Sequence, residues 1–259
     1  MQISVITICY NNLHGLRRTA DSILAQTTPP VSWLVVDGGS VDGTRDYLAK
    51  LDVPYLSFIS EPDDGLYDAM NKGLDRIGLE DADYVIFMNS GDAFADVETL
   101  RTLVEALQED PVDLIYGDAI EFDGEARHYK AALGHRRVWY SMFTHHQAMA
   151  YRCSAIGPLR YDLSFKMAAD WAFTAHLLKS GARARYLPTA LCLFERGGFS
   201  QSQDKRALGR REHVRIHKEV LRSPPLMGEL SIFAKQSVNA VRARFPGLYD
   251  WARMRKKSA

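Results

Sequence analysis

Trp33-Leu34-Val35-Val36-Asp37-Gly38-Gly39-Ser40 is an apolar run that stops at an acid, two glycines and a serine. Tyr84-Val85-Ile86-Phe87-Met88-Asn89-Ser90-Gly91-Asp92 repeats the pattern, and Ile3 to Cys9 leads in the same way into Tyr10-Asn11-Asn12. Short, nearly continuous apolar runs rich in β-branched residues are the signature of strands covered on both faces, as in parallel sheets. A fourth run, Tyr55 to Ile59, lies between the Trp33 and Tyr84 runs. The intervening stretches carry apolar residues at helical spacing: Leu13, Leu16, Ala20, Ile23 and Leu24, then Leu66, Ala69, Met70, Leu74 and Ile77, then Leu100, Leu103, Val104 and Leu107. A short helix is expected from Thr44 to Leu51, capped by Asp42. Strand and helix alternating in this way predict an open, mostly parallel α/β sheet with helices on both faces. In such sheets ligands sit at the carboxyl ends of the strands, where the three polar clusters fall.

Beyond about residue 110 the pattern changes. Strands are expected at Leu114–Phe122, Arg127–Tyr129 (with a turn at Asp123-Gly124), Gln147–Tyr151, Arg183–Tyr186 and Leu191–Phe194. Asp170 stands at the start of a helix that runs through Trp171, Phe173, Leu177 and Leu178 to Gly181, where it suits an N-cap. From Ser202 the chain is expected to be helical, broken at Pro224-Pro225, with Leu226, Leu230, Phe233, Val238, Val241 and Phe245 on one face.

The formal net charge is zero, but it is divided: residues 204–259 hold 14 Lys+Arg against 5 Asp+Glu, and the remainder holds 18 against 27. A basic tail of this kind favours an anionic surface. Cys9, Cys153 and Cys192 are odd in number and far apart, which suits buried thiols in a reducing compartment. The N-terminus has no basic, then apolar, leader, and no stretch reaches the roughly 18 apolar residues of a spanning helix. A cytoplasmic protein is therefore expected. A dinucleotide fold would want Gly-x-Gly-x-x-Gly after the first strand, where Tyr10-Asn11-Asn12 stands, and no phosphate loop rich in glycine and lysine is present. No nucleic-acid motif accompanies the basic tail.

Three segments invite chemistry. Asp37, at a strand end beside glycines that permit close approach, can accept hydrogen bonds from a ring N–H and a sugar hydroxyl. The same residues also suit an ordinary turn. In Ser60-Glu61-Pro62-Asp63-Asp64-Gly65-Leu66-Tyr67-Asp68-Ala69-Met70-Asn71-Lys72-Gly73, helix capping accounts for one or two acids but not for Asn71 and Lys72, which otherwise face solvent. Asp92, just past a buried strand, is placed either as a turn residue or as the oxygen ligand of a divalent cation on two phosphates.

In this order and spacing the segments Ser4 to Asn11, Val35 to Thr44, Ser60 to Gly73 and Met88 to Asp92 resemble the family 2 glycosyltransferases, most closely bacterial members that build cell-surface polysaccharides or glycolipids. The likeness is strong over residues 1–95, fainter to 200 and absent in the tail. It implies a Rossmann-like GT-A domain over residues 1–200, with nucleotide-sugar binding in 1–110 and the acceptor side in 111–200. A basic amphipathic helical arm over 201–259 completes the chain. It implies an inverting, hexosyltransferase-type enzyme that moves a sugar from a UDP-, GDP- or dTDP-linked donor to a hydroxyl of a lipid-linked glycan. Mg²⁺ or Mn²⁺ would be its cofactor. Thr7, Tyr10 and Asn11 would line the nucleoside pocket and Asp37 would bond the base. Asp63, Gly65, Asn71 and Lys72 would complete the donor site, Asp92 would touch ribose, diphosphate and metal, and Asp170 would be the catalytic base. His146, Gln147 and Trp171 fall on the acceptor side.

Two departures stand out. Asn89 replaces an acid common in the metal motif, and Met70 replaces an Arg, with Lys72 or Arg196 as substitute cations. Adjacent His145 and His146 do not suit zinc. Glu195 to Ser200, with Gly197-Gly198, suits either a lid or a plain turn. The basic helix with its aromatics suits an acidic inner-membrane surface or packing on the domain. The rival reading is a nucleotide-sugar-binding subunit without transferase activity.

Overall fold

The computed structural model describes residues 1–78, 82–124, 126–196 and 203–244. Strands β1 (Ile3–Cys9), β2 (Ser32–Asp37), β3 (Leu56–Ser60) and β4 (Tyr84–Phe87) lie parallel in the order β3-β2-β1-β4. Their crossovers are helices α1 (Leu13–Leu24), α2 (Thr44–Leu48) and α3 (Leu66–Arg76). Along β1 and β2, alternate residues enter opposite cores. Ile6, Ile8, Leu34 and Val36 face α3, whereas Val5, Cys9, Trp33 and Val35 face α1 and α4 (Thr99–Glu109). This two-sided burial is why the strands look like unbroken apolar runs. Gly73 lets α3 lie directly on β1, because a Cβ there would stand 2.7 Å from Ile6 Cγ2.

Beyond β4 the sheet changes direction. After the short β5 (Ala93–Phe94) and α4, β6 (Leu114–Phe122) pairs with β7 (Arg127–Lys130) and β8 (Met149–Arg152), both antiparallel, and β8 joins β4 antiparallel. The two strands expected after residue 183 are one, β9 (Ala184–Glu195), parallel to β6. Between the two expected segments the pairing with β6 slips at Tyr116/Asp118 and Asp118/Ala119. The strand expected from Gln147 begins at Met149, because His146–Ala148 forms a 3-10 turn.

Helix α5 (Cys153–Ile156) is a single turn, and α6 (Ala169–Lys179) packs on the α3 face. Asp170 is not its cap: the cap position is Ala168, and Asp170 sits inside the first turn. In the C-terminal region α7 (Gln203–Arg215) runs into a wide turn, Ile216–Val220, before α8 (Met227–Arg244). Ile216, Val220 and Leu221 are buried in the core shared by α3 and α6. The start of this region is thus part of the main body rather than an external arm. Its outer helix behaves otherwise. Gly228 and Ser231 face inward, while Leu226, Leu230 and Phe233 are 68%, 59% and 69% exposed.

Candidate active site

The carboxyl ends of β1 and β2 are stitched together. The Asn11 N–H donates to Ser40 Oγ at 2.7 Å, and Asn11 Oδ1 accepts from the Val41 N–H at 2.9 Å. Asn11 has a φ of 46°, in the left-handed region that Asn tolerates better than most residues. Tyr10 is left outside, 65% exposed. Asp42 serves two helices at once, accepting the Leu13 N–H at 2.8 Å and the Thr44 N–H at 3.1 Å. Burial raises its carboxyl, but the Thr44 hydroxyl, donating at 2.6 Å, together with those N–H bonds holds it below the usual range. Gly38 is pressed by Asp63, since a Cβ there would meet Asp63 Oδ2 at 2.4 Å. Asp63 in turn accepts the Gly65 N–H at 2.8 Å. Together these residues line the carboxyl ends of β1 and β2.

Several expected donor residues have other partners. Thr7 is fully buried and its hydroxyl accepts the Trp33 indole N–H at 3.0 Å, so it faces the core and not a pocket. Asp37 is fully buried and bonded by the hydroxyls of Ser40 and Ser60 and the Ser40 N–H. Asn71 does not face solvent. Its amide clasps the Tyr161 backbone, donating to O at 2.9 Å and accepting from N at 2.8 Å. Lys72 donates to Pro62 O at 2.8 Å and pairs with Asp68 and Glu61 at 3.3 and 3.5 Å.

Asp92 lies at the mouth of the sheet, 6% exposed. Gln147 Nε2 donates to its Oδ2 at 2.5 Å and the Glu195 N–H to its Oδ1 at 3.1 Å. Burial outweighs these bonds and pushes its carboxyl from 3.8 to about 7. Beside it, Asn89 Oδ1 and Gln147 Oε1 are buried acceptors without a hydrogen-bond partner. Such orphans are costly and invite a ligand. One carboxylate, with an open amide oxygen on Gln147 that bonds it and another on Asn89 three residues before it, is a hard, oxygen-rich donor set. It fits Mg²⁺ or Mn²⁺ that takes its other ligands from phosphate and water. Among the described residues no group of three His, Cys, Asp or Glu side chains could hold a metal ion.

Asp170 stands on the other wall. The Tyr67 hydroxyl donates to its Oδ1 at 3.3 Å, and His146 Nδ1 approaches its Oδ2 at 3.8 Å. His146 Nε2 lies 3.2 Å from Asn89 Nδ2. With the Asn89 amide donating, Nε2 is the acceptor and the ring proton sits on Nδ1, toward Asp170. Burial lowers the His146 pKa, with the Asp170 charge opposing, so the ring is neutral. His146 reaches Asn89 and Asp170 while its neighbour Gln147 reaches Asp92. The turn His146–Ala148 therefore links the two carboxylates through adjacent residues, and a small groove of about 100 Å³ lies beside Tyr67 and Phe165.

Gln147 thus belongs to the Asp92 side rather than the acceptor side. Trp171 is buried, with its indole N–H donating to Val138 O at 2.7 Å. His145 turns away, bonding Glu121 at 2.9 Å and stacking on Phe194. Both suggested substitute cations are paired with acids, Lys72 as above. Arg196 pairs with Glu121 and Asp123, each at 3.8 Å, and the guanidinium near Asp92 is that of Arg18, donating to Gly91 O at 2.9 Å and Glu195 at 2.5 Å. Sequence reasoning missed Arg18 and Tyr67, because each looks like an ordinary helix-face residue. Gly197-Gly198, and the basic cluster after Phe245, lie outside the described residues.

The family model described as glycosyl transferase family 2 matches residues 4–159. A PGL/p-HBAD biosynthesis glycosyltransferase of Mycobacterium bovis is 32% identical over 237 residues, 88% of this chain and 86% of that one. Glycosyltransferase GlyA of Streptococcus pneumoniae is 30% identical over 137 residues, 51% of this chain and 19% of that one. Among solved structures, S. aureus TarS with UDP-GlcNAc superimposes with a TM-score of 0.65 at 21% identity, covering 84% of this chain and 67% of that one. Mannosyltransferase PcManGT of Pyrobaculum calidifontis, with GDP-Man and Mn²⁺, gives 0.64 at 17% identity, covering 99% and 79%.

Proposed function

The chain belongs to glycosyl transferase family 2 and is a nucleotide-sugar-dependent glycosyltransferase; we propose that it transfers the sugar with inversion to a hydroxyl of a lipid-linked glycan. The observation that carries this reading is the Asp170 carboxylate. It is free of any capping duty, held by Tyr67 and neutral His146, and joined through His146-Gln147 to Asp92. A base on one wall and a diphosphate site on the other is the arrangement that in-line displacement at an anomeric carbon requires.

In this reading Tyr10, Asn11, Asp63 and Gly65 border the nucleoside, and Asp37 and Lys72 brace that loop through their bonds to Ser40, Ser60 and Pro62. Asp92, with Asn89 Oδ1 and Gln147 Oε1, would hold Mg²⁺ or Mn²⁺. When bound, the cation neutralises charge on the departing diphosphate. Arg18 adds a guanidinium on the same side. Asp170 takes the proton of the acceptor hydroxyl as that oxygen attacks the face opposite the leaving group. No acid is needed, because a nucleoside diphosphate leaves as an anion.

Asp170→Asn is expected to lower nucleoside diphosphate release about 10²–10⁴-fold, to a measurable residual rate, while nucleotide affinity survives; near-normal turnover would remove Asp170 from this role. Thermal shifts against UDP-, GDP- and dTDP-sugars, with and without Mn²⁺, identify the donor class and test the cation. No shift with any of them would count against the donor site as drawn.

For the acceptor, α8 supplies the supporting feature. At its start Gly228 and Ser231 face inward while Leu230 and Phe233, with Leu226 just before it, are exposed, in the chain region where cations outnumber acids 14 to 5. Apolar exposure beside positive charge suits the headgroup region of an acidic bilayer. No helix among the described residues is long and apolar enough to cross a membrane. Sedimentation with phosphatidylglycerol vesicles, lost in phosphatidylcholine vesicles and in the double variant Leu230→Ser, Phe233→Ser, is the expected result. Equal sedimentation of parent and variant would count against a membrane-bound acceptor.

A further inference from the structure

We propose that Glu212, on α7, is a positioning residue for transfer: it fixes the entry to α6 and, through it, the Asp170 carboxylate. The proposal rests on the reading of Asp170 as the base. The segment entering α6 has no side-chain cap of its own, because Ala168 occupies the cap position and has no oxygen to offer. The N–H groups of Lys166, Met167 and Ala168 all turn to Glu212 instead, at 2.6, 2.8 and 3.0 Å. Three successive backbone N–H groups make an anion-binding concavity. Here the anion comes from the protein itself, 44 residues further along the chain from Ala168.

Glu212 is 2% exposed. A carboxylate is rarely buried this deeply without full compensation, and these bonds, charge-assisted and short, provide it. The helix that carries it is anchored independently. Arg215 donates to Ser164 O and Oγ at 3.2 and 3.0 Å, the His213 ring lies 4.7 Å from that of Trp171, and Lys179 donates to Val220 O at 2.8 Å. Asp170 is two residues past Ala168, so movement of this entry segment moves the base. The family match ends at residue 159, which leaves Glu212 outside it.

The test is a double-mutant cycle on the full chain, with E212A, D170N and the pair, reading nucleoside diphosphate release from the matching UDP-, GDP- or dTDP-sugar. Nucleotide affinity is measured in parallel by thermal shift. E212A is expected to lower kcat by about tenfold to a hundredfold, the cost of an ångström-scale misplacement, with nucleotide affinity unchanged. E212Q keeps an oxygen for the Met167 and Ala168 N–H groups and should lose less. It also keeps the cycle readable if E212A folds poorly. Added to D170N, either change should cost nothing further, because the group it positions is already gone. A normal kcat in both Glu212 variants, or the same fold loss repeated on the D170N background, overturns the positioning role. Near-normal release by D170N alone overturns instead the reading of Asp170 on which it rests.

Discussion

Asp92→Asn, compared with the parent across pH in the presence of a chelator, isolates the energetic burden of the buried carboxylate. In the folded chain its carboxyl ionises near pH 7, against 3.8 ordinarily, because burial dominates the bonds from Gln147 and Glu195. The contribution of the neutral carboxyl to stability is whole below pH 3.8 and is lost as pH rises through about 7. Between pH 5 and pH 8 the unfolded carboxyl is charged throughout, while the folded one passes from protonated to charged. The parent should therefore lose about 3 kcal/mol relative to the variant over that interval, from roughly two pH units at about 1.4 kcal/mol each. In a chain of this size that is a relative fall of about 6–12 °C in Tm. Denaturant unfolding of both proteins at half-unit pH steps reads it directly. Parallel stability curves from pH 5 to 8 would refute the argument that burial governs this group. With Mn²⁺ and nucleotide in place of chelator, the parent's affinity should rise with pH and level off above about 7, since only the carboxylate binds a cation.

Asn71→Ala removes both bonds to the Tyr161 backbone and should cost about 2–3 kcal/mol of stability, read as a lower denaturant midpoint. Gly38→Ala drives a methyl into Asp63 and should weaken nucleotide affinity about tenfold with Tm nearly unchanged; full affinity would mean the Asp63 loop is not part of the donor site. Arg18→Ala removes the guanidinium that holds Gly91 O and lies near Asp92, so Asp92 should ionise at still higher pH and the donor KM should rise.

What the sequence discloses and what it hides divide along one physical line. β1, β2 and β4 announce themselves because both their faces are buried, and their ends are marked by glycine, serine and acid. Local turn chemistry, such as Asp42 over Thr44, is legible for the same reason: cause and effect are neighbours. The misreadings come from partners distant in the chain. Asp170 fits an N-cap by position, but the capping carboxylate arrives from Glu212. Asn71 looks solvent-facing until Tyr161 comes to meet it. Arg183–Tyr186 and Leu191–Phe194 look like two strands, yet pairing with β6 continues across a register slip and makes them one. Periodicity near the start of α8 says nothing of the direction a residue faces, and Leu226, Leu230 and Phe233 point outward. Asn89, a departure from the expected acid, acquires a partner only when His146 folds over it.

The Glu212 bond also sets an order of events at the ribosome. Domains emerge amino end first, at about 5–20 residues per second. The strand ends from Tyr10 to Asp92 can therefore assemble well before the helix that carries Glu212 has been made. During that interval the entry to α6 has no anion in its ring of N–H groups. A nascent chain would thus be able to hold a nucleotide sugar before it could spend one, and the arrival of α7 would arm the base.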